Sequence, residues 1–465
     1  MGKKISKYNK EFVLIIFAVG ILMRLFTLTV PNDMWHDASF TYEFSEMPIK
    51  YIVDSNDVHP PLFYIFTKIW QQVSTNEYWL RSFSLVCYIA FFYMLYKYLK
   101  KNHNSLTTMI TLTFISFSPT IIFYSLEYRN YMLGMFFVIA QVYYFKDYLE
   151  SSNKEKGYLY VLFSLLMLYT HYFTIFVLLV EFLYLAFKHS RKLVTIFVEP
   201  LILIGIWLVP LFIYFIRTLP KMHSMWFKDI TLLSFISTLT YQIFPSDTIT
   251  EFHLIVLFIL MLFWAFSFYI KKQNNLFYHL MFFIPVVLVF LISQIYPMYH
   301  HRFFLFYSFA LYIIIAQVIE TYLTNKRFHL IGVVLFGSMI IMMVVSFSKL
   351  PETLPTELHD SSDFMKNILD KDSKYIFIHS TPFSFTPYNY YFRDWNIVNV
   401  LDTKLTKKER FTAGGSVIND LLVFQDISTI YCFDGCYYIT DKIGLDGDKI
   451  YDEGGLRIYE LEKRH

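Results

Sequence analysis

Four short segments bring together side chains that can move protons or bind phosphate. Acidic residues such as Asp37 and Glu127 can accept a proton from a hydroxyl group. Arginines such as Arg129 and Arg302 can bind a phosphate group through two parallel hydrogen bonds. The four segments are 35–41, 57–64, 118–131 and 299–303. What they can do together depends on the elements that position them.

Those elements belong to a protein embedded in a membrane. Of the 465 residues, 56% are hydrophobic and only 17% are charged, whereas soluble domains carry about 25% charged residues. The apolar residues form repeated runs of about 17 to 22, the helix length that crosses a hydrocarbon core of about 30 Å. Most runs lack the polar stripe of a helix in a soluble core. We therefore expect a polytopic α-helical membrane protein.

The runs predict about eleven spans. They are 12–30, 80–96, 106–124, 131–146, 158–171, 172–187, 193–215, 250–270, 277–296, 303–323 and 328–348. The first follows four lysines and lacks a small-residue cleavage site, so we expect an uncleaved span. Arg24 interrupts it, either as a functional residue or as a side chain that extends to the membrane interface. The run 158–187 is divided near His171, because one long helix would reverse the sidedness of everything after it.

The basic residues predict the orientation. Every second loop between spans is rich in lysine and arginine, as the positive-inside rule requires of cytoplasmic loops. The basic loops contain Lys97, Lys100, Lys101, Lys146, Lys154, Lys156, Lys188, Arg191, Lys192, Lys271, Lys272, Lys326 and Arg327. We expect a multi-pass protein of the plasma membrane, with its N-terminus in the cytoplasm and residues 349–465 outside. The net charge of +3 arises in these loops and indicates no nucleic-acid partner.

We predict two domains. Residues 1–348 form a membrane domain whose outer loop, 31–79, carries the active site, and residues 349–465 form a small extracytoplasmic α/β domain. Within the loop, 42–52 and 60–73 resemble amphipathic helices that lie on the membrane.

The C-terminal domain is predicted from alternating short patterns. We expect a helix at 360–370, a strand at 375–379, an aromatic segment at 383–392 and β-rich runs at 421–424, 429–433 and 456–461. Cys432 and Cys436 flank a turn and are a candidate disulfide on the outer face, with two free thiols as the alternative.

The order and spacing of the motifs resemble those of the GT-C class of membrane glycosyltransferases. The resemblance is greatest to the bacterial and archaeal relatives of the protein O-mannosyltransferases, over about residues 12–320. These enzymes have a tryptophan and an acidic motif after the first span, matched at 35–37, and a His-Pro-Pro motif, matched at 59–61. Ser-Pro and Glu-x-Arg-x-Tyr motifs, a Tyr-Thr-His-Tyr turn and a late outer arginine follow, at 118–119, 127–131, 169–172 and 302.

The resemblance implies an inverting transfer of a sugar from a polyprenyl-phosphate donor to a hydroxyl of a glycan, lipid or protein acceptor. It implies that Asp37 is the general base. The family usually has a glutamate where this chain has Ala38, which leaves the need for a metal open. The structural alternative for Asp37 is the N-cap of the following helix.

The remaining candidates would bind the substrates. Arg129 and Arg302 are the expected phosphate ligands, unless they extend to the membrane interface as ordinary surface arginines. Glu127 could hold Arg129 in a structural ion pair or contact the acceptor. His301 is a further candidate beside the late arginine.

A divalent metal is a weaker expectation. His59 could bind one together with Asp37 or Asp57, and both His59 and Asp57 are also candidate substrate ligands. A histidine before two prolines can instead cap the start of a helix.

Two other functions are compatible with the sequence. A transporter or flippase for a lipid-linked saccharide would explain the spans, but it predicts charges deep within them and paired half-repeats. A catalytically inactive GT-C-like assembly protein would explain Ala38.

Overall fold

The computed structural model describes 2–30, 34–54, 57, 59–222, 230–243, 251–270, 276–296, 298–353, 357–379, 382–402, 424–425, 435–440, 448–453 and 456–461. Contacts divide the chain into two compact units. The membrane unit comprises Met1–Leu28, Arg81–Ile213 and Phe227–Pro351, and the α/β unit comprises Thr29–Leu80, Tyr214–Trp226 and Glu352–His465. The predicted loop 31–79 is thus grouped with the C-terminal segment, whereas the predicted domains kept it with the spans.

Helices account for most of the described residues. They are α1 (Gly2–Thr29), α2 (His36–Glu46), α3 (Ile49–Asp54), α4 (Leu62–Gln71), α5 (Glu77–Asn102), α6 (Ser105–Phe117), α7 (Pro119–Tyr124), α8 (Tyr131–Ser151), α9 (Lys154–Leu168), α10 (Ile175–Lys188), α11 (Ser190–Lys192), α12 (Val198–Met222), α13 (Leu232–Tyr241), α14 (Glu251–Ile270), α15 (Leu276–Ser293), α16 (Leu305–Thr324), α17 (His329–Thr353), α18 (Glu357–Ile368) and α19 (Pro382–Tyr391). Short 3-10 helices occur at Tyr172–Thr174 and His301–Phe304, and a π-helical turn occurs at Leu193–Phe197.

The membrane architecture expected from the sequence is confirmed. Each predicted span coincides with one or two of these helices. Six helical segments among the described residues are long and apolar enough to cross a membrane: Lys10–Thr29, Glu77–Asn102, Ser190–Thr218, Leu276–Ser293, His301–Thr324 and His329–Leu350. Ser105–Phe117 and Leu254–Phe268 are shorter apolar helices.

The predicted turn inside the run 158–187 is present. Helix α9 ends at Leu168, and α10 begins at Ile175 after one 3-10 turn. The imidazole Nδ1 of His171 accepts a hydrogen bond of 3.2 Å from the backbone N–H of Phe173. This bond satisfies one of the amide groups left open where a helix begins.

Loops predicted to lie on one side of the membrane meet at one end of the membrane unit. The ammonium group of Lys101 lies 2.5 Å from Asp147 and 2.8 Å from Glu150. The ammonium group of Lys192 donates to the carbonyl oxygen of Leu149. Three of the loops predicted to be cytoplasmic are therefore neighbours; which side of the membrane they face stays a prediction.

The predicted span 106–124 is broken by Pro119. Proline has no backbone N–H, so the carbonyl group of Ile115 cannot receive its usual helical bond. The guanidinium group of Arg24 replaces it. Its Nη1 lies 3.1 Å from the carbonyl oxygen of Ser116, and its Nη2 lies 3.5 Å from that of Ile115.

Arg24 is a buried structural residue. Its side chain is 0% exposed, and the guanidinium carbon lies 3.5 Å from the ring centroid of Tyr88. The interpretation that Arg24 extends to the membrane interface is therefore wrong. A carbonyl group without a partner is costly where water is excluded, so the break between α6 and α7 requires a donor at this position.

The α/β unit contains one mixed sheet. Its described strands are β1 (Tyr375–His379), β2 (Ile397–Asp402), β3 (Phe424–Gln425), β4 (Gly435–Thr440), β5 (Asp448–Glu453) and β6 (Leu456–Leu461), in the order β3-β2-β1-β4-β6-β5. Neighbours from β3 to β4 are parallel, and β6 is antiparallel to both β4 and β5. Helices α18 and α19 pack on the sheet over a core that includes Phe377, Tyr388 and Ile439.

The predicted strands at 375–379 and 456–461 are confirmed with those boundaries. Of the predicted run 421–424 only Phe424 is described, and 429–433 lies outside the described residues. Cys432 also lies outside them, while Cys436 is part of β4. The disulfide stays a prediction.

The predicted helix 42–52 is wrong as a single element. Helix α2 begins six residues earlier, at His36, and ends at Glu46. Met47 has an extended backbone, with φ of −62° and ψ of 154°, because the residue before a proline, here Pro48, is disfavoured in the helical region. Helix α3 follows separately. The predicted helix 60–73 corresponds to α4.

Replacing Arg24 tests the helix break. We expect Arg24→Met to lower the stability of the folded protein by about 2–3 kcal/mol, because two buried carbonyl groups lose their donor. Thermal unfolding in detergent measures this change. Arg191→Met, which replaces an exposed arginine, is the matched control. Equal melting temperatures for the two variants would contradict the structural role of Arg24.

Candidate active site

Asp37 lies in the first turn of α2. The helix begins at His36, and its N-cap residue is Trp35, whose side chain makes no capping bond. The alternative in which Asp37 caps the helix is therefore wrong. The Asp37 side chain is partly exposed, and the positive end of the helix dipole favours a negative charge at this position.

The other end of α2 is fixed by Lys68 of α4. The ammonium group donates to the backbone carbonyl oxygens of Ser45, Glu46 and Met47, at 3.2, 3.0 and 3.0 Å. A helix leaves its last carbonyl groups without helical partners, and a cation there also complements the helix dipole. Lys68 thus joins α4 to the helix that carries Asp37.

Glu43 lies one and a half turns beyond Asp37 in the same helix. Burial raises the pKa of Glu43 to about 8, and the nearby charge of Glu46 acts in the same direction. A hydrogen bond from Asn389 opposes this shift. A carboxyl group with such a pKa is mostly protonated at neutral pH, so Glu43 is a poor base.

Asp57 holds the turn before α4. Its side chain is 1% exposed, and its Oδ2 accepts hydrogen bonds from the Tyr64 hydroxyl group at 2.8 Å and from the His59 backbone N–H at 3.2 Å. These bonds fix the chain between α3 and α4. The Asp57 carboxylate is thus part of a structural turn, and the role of Asp37 as a base stays a prediction.

Metal binding by Asp37, Asp57 and His59 stays a prediction. An oxygen of Asp57 already accepts two hydrogen bonds. The part of the chain that the structure describes contains no group of three or more His, Cys, Asp or Glu side chains arranged to hold a metal ion. We therefore derive no step through a metal bound by Asp37, Asp57 and His59.

The membrane unit brings together the two arginines expected to bind phosphate. The guanidinium groups of Arg129 and Arg302 both interact electrostatically with the imidazole ring of His171. Arg129 is 5% exposed and His171 is 2% exposed. The two cations are separated by 173 positions in the sequence, and they converge because three helix ends meet there: the turn after α7, the turn after α9 and the 3-10 helix before α16.

Aromatic residues surround this cluster. The Arg302 guanidinium carbon lies 5.9 Å from the ring centroid of Tyr131. The ring of Tyr131 lies 4.9 Å from that of Tyr124, whose hydroxyl oxygen is 2.8 Å from that of Tyr241. Phenol groups can donate hydrogen bonds to an anion. We refer to Arg129, Arg302, His171, Tyr131 and Tyr124 as the arginine cluster.

The remaining predicted residues lie beside this cluster in sequence. The ring of His301 lies 3.7 Å from that of Tyr241, and its backbone carbonyl oxygen accepts from the Gln242 amide at 3.0 Å. Glu127 is 4% exposed, and its backbone carbonyl oxygen accepts from the Arg129 N–H at 2.8 Å. Substrate binding by His301 and Glu127 stays a prediction.

The sequence did not single out His171 of the cluster, nor Tyr241, which lies beside Tyr124. No substrate-binding role was predicted for His171, although the Tyr-Thr-His-Tyr turn that contains it is one of the matched motifs. Tyr241 was missed because it ends α13, in a stretch predicted to be an outer loop. An aromatic residue at the end of a short apolar helix was the only signal for it.

Comparisons with known proteins identify the fold. A family model described as dolichyl-phosphate-mannose-protein mannosyltransferase matches residues 58–216, less than half of the chain. No curated protein sequence matches the chain significantly.

Solved structures match over nearly the whole length. ArnT from Cupriavidus metallidurans, in the apo state and bound to undecaprenyl phosphate, has a TM-score of 0.64, with 10% and 9% identity over 97% of this chain and 98% of ArnT. The Archaeoglobus fulgidus oligosaccharyltransferase in the apo form has a TM-score of 0.54, with 10% identity over 93% of this chain and 69% of that one. Such low identity shows the fold alone. The GT-C-type fold expected from the sequence is confirmed.

The turn that carries His171 can be tested through its cap. We expect His171→Ala to cost about 1 kcal/mol of stability, because the Phe173 N–H loses its acceptor, whereas His171→Asn can keep a side-chain oxygen there. Thermal unfolding of both variants in detergent measures the difference. Equal destabilisation by alanine and asparagine would contradict the capping role.

Proposed function

We propose that the protein is an inverting glycosyltransferase that moves a sugar from a polyprenyl-phosphate donor to an acceptor hydroxyl group at the outer face of the membrane. The observation that carries the proposal is the arginine cluster, in which the guanidinium carbon of Arg302 lies 5.9 Å from the ring centroid of Tyr131, and that ring lies 6.2 Å from the ring of His171. The buried Arg129 and the half-buried Arg302, which lies beside the ring of Tyr131, suit a phosphate group, which each guanidinium can bind with two hydrogen bonds.

The arginine cluster would act on the leaving group. When the bond between the sugar and the phosphate breaks, negative charge develops on the phosphate. Fixed cations that are already in position stabilise this charge more in the transition state than in the ground state. Because the cations are held by helix ends and aromatic contacts, little reorganisation is needed during the reaction.

Asp37 would act on the nucleophile. A hydroxyl group is a weak nucleophile at neutral pH, so its proton must leave as the new bond forms. Asp37 takes this proton while the acceptor oxygen attacks the anomeric carbon from the side opposite to the phosphate. The phosphate departs with the bonding electron pair, and the configuration at the anomeric carbon inverts.

The comparisons support the donor class. The matching family model is named for transfer of mannose from dolichyl phosphate to protein, and one of the similar ArnT structures is bound to undecaprenyl phosphate. We extend this chemistry to the present chain as a hexosyl or pentosyl transferase. The alternation of basic loops supports a plasma-membrane location with a cytoplasmic N-terminus.

Asp37→Asn tests the base. We expect the variant to lose transfer activity by a factor of about 100 or more, because the amide cannot accept the proton. Membranes that contain the protein are incubated with a panel of polyprenyl-phosphate sugars, and consumption of each donor is followed.

Asp54→Asn is the matched control, since Asp54 is an exposed aspartate of α3 and should keep full activity. Undiminished activity of Asp37→Asn would contradict the role of Asp37. Donor binding without consumption by the unchanged protein would favour a transporter or an inactive GT-C-like protein.

Arg302→Gln tests the phosphate site. We expect a loss of affinity for undecaprenyl phosphate of about 10- to 100-fold, as one charge-assisted pair of hydrogen bonds disappears. Arg302→Lys should recover part of the loss, because it restores the charge without the planar fork. Binding to the purified protein measures both variants, with Arg191→Gln as the control. Unchanged affinity for Arg302→Gln would exclude Arg302 from the phosphate site.

A further inference from the structure

The first turn of α2 is held by a single hydroxyl group of α19. The Oγ1 atom of Thr386 lies 2.9 Å from Nδ1 of His36 and 3.1 Å from Oγ of Ser39. Thr386 is 1% exposed, Ser39 is 0% exposed and His36 is 7% exposed. Thr386 and Ser39 are thus buried away from water, and His36 is almost completely buried.

A threonine hydroxyl group is suited to this junction. It can donate one hydrogen bond and accept two, so it can join a histidine and a serine at once. Ser39 also lies within hydrogen-bonding distance of the carbonyl oxygens of Trp35 and His36, at 3.0 and 3.2 Å. The junction therefore connects α19 to both the side chains and the backbone of the first turn of α2.

The two residues bound by Thr386 stand on either side of Asp37 in the sequence. Residues three apart in a helix share a face, so His36 and Ser39 present one face of α2 to α19, and Asp37 is displaced from that face. A bond between Thr386 and this face consequently fixes the rotation of the turn about the helix axis. Lys68 fixes the far end of the same helix.

We propose that Thr386 is a positioning residue for Asp37. The inference rests on the proposed function, in which Asp37 is the base. In this role the C-terminal segment sets the direction of the carboxylate and does not itself contact the reacting atoms. A base that is misplaced by about 1 Å can lose a factor of about 100 in rate, so a small rotation of the first turn is sufficient for a large effect.

Other contacts hold α2 and α19 together without Thr386. The rings of Tyr42 and Tyr390 are 5.2 Å apart in an edge-to-face arrangement. The Tyr391 hydroxyl oxygen accepts from the backbone N–H of Met34 at 2.8 Å. Thr386→Val keeps the branched shape and removes only the hydroxyl group. We therefore expect this variant to fold, with a freer first turn.

The test compares three variants of the full-length protein with a consumed polyprenyl-phosphate sugar as donor. We expect Thr386→Val to lower kcat by about 10- to 100-fold and to leave the KM for the donor within about a factor of two, because phosphate binding does not involve α2. Thr386→Ser, which retains the hydroxyl group, should restore kcat to within about a factor of three. Thr111→Val is the matched control, because the Thr111 hydroxyl group bonds to the carbonyl oxygen of Thr107 in its own helix.

A double-mutant comparison separates the inference from the proposed function. If Thr386 acts through Asp37, then Thr386→Val should have little further effect in the Asp37→Asn background. Loss of activity in Asp37→Asn together with unchanged kcat in Thr386→Val would overturn the positioning role alone. Full activity in Asp37→Asn would overturn the assignment of the base and the inference with it.

Thermal unfolding distinguishes positioning from folding. A large fall in melting temperature for Thr386→Val, with kcat and KM changed together and no recovery in Thr386→Ser, would show a merely structural residue and overturn the proposal. A melting temperature close to that of the unchanged protein, combined with the selective fall in kcat, is the expected result.

Discussion

Backbone hydrogen bonding is the constraint on which the membrane unit depends. Where water is excluded, every N–H and carbonyl group must find a partner within the chain. A continuous helix meets this requirement by itself, but a functional site needs helix ends and turns. The break at Ser118 and Pro119 is possible because Arg24 donates to the carbonyl group of Ile115, which the proline leaves open, and to that of Ser116.

The same constraint shapes the arginine cluster. His171 caps the turn after α9, and the Nδ1 atom of His300 accepts from the Arg302 N–H at the start of the next 3-10 helix. Histidines that close helix ends therefore lie beside the arginines that the proposed reaction needs. The histidines that cap these turns are thus close to the arginines of the cluster. We therefore expect a substitution that removes a capping hydrogen bond to displace a neighbouring arginine as well.

In the α/β unit, the short helix α2 needs contacts from other parts of the chain to hold it in place. Helix α2 has eleven residues, which is too short to be stable alone in water. Lys68 binds the carbonyl groups at its C-terminal end, and Thr386 binds side chains of its first turn. The helix is thereby defined in position and rotation by contacts from two separate parts of the chain, α4 and α19.

The sequence was sufficient for features that depend on local composition. Hydropathy located the spans, because burial in lipid requires long apolar runs, and the alternation of basic loops placed the turn near His171. The strands 375–379 and 456–461 followed from short β-rich runs between turn residues. Each of these features depends on residues that are close together in the sequence, so a single sequence is sufficient to predict it.

The sequence was insufficient where the determining contact is distant. Thr386 and His36 are 350 positions apart, and nothing in either segment indicates the other. The start of α2 was misplaced for a related reason: its N-cap is Trp35 without a capping bond, so the usual signal of a serine, threonine, aspartate or asparagine was absent. Tyr241 was hidden because α13 is short and lies in a stretch that resembles a loop.

Ala38 affects which charges are available for the proposed reaction. The enzymes that this chain resembles usually have a glutamate there, whereas Ala38 is 2% exposed and packs within the α/β unit. A carboxylate at such a buried position would need a cation or several donors, and a methyl group needs none. Of the acidic pair usual in those enzymes, this chain retains only Asp37. In the proposed reaction, the two guanidinium groups of the arginine cluster would supply positive charge to the departing phosphate. We therefore expect one carboxylate, that of Asp37, to accept the proton and two arginines, Arg129 and Arg302, to bind the phosphate.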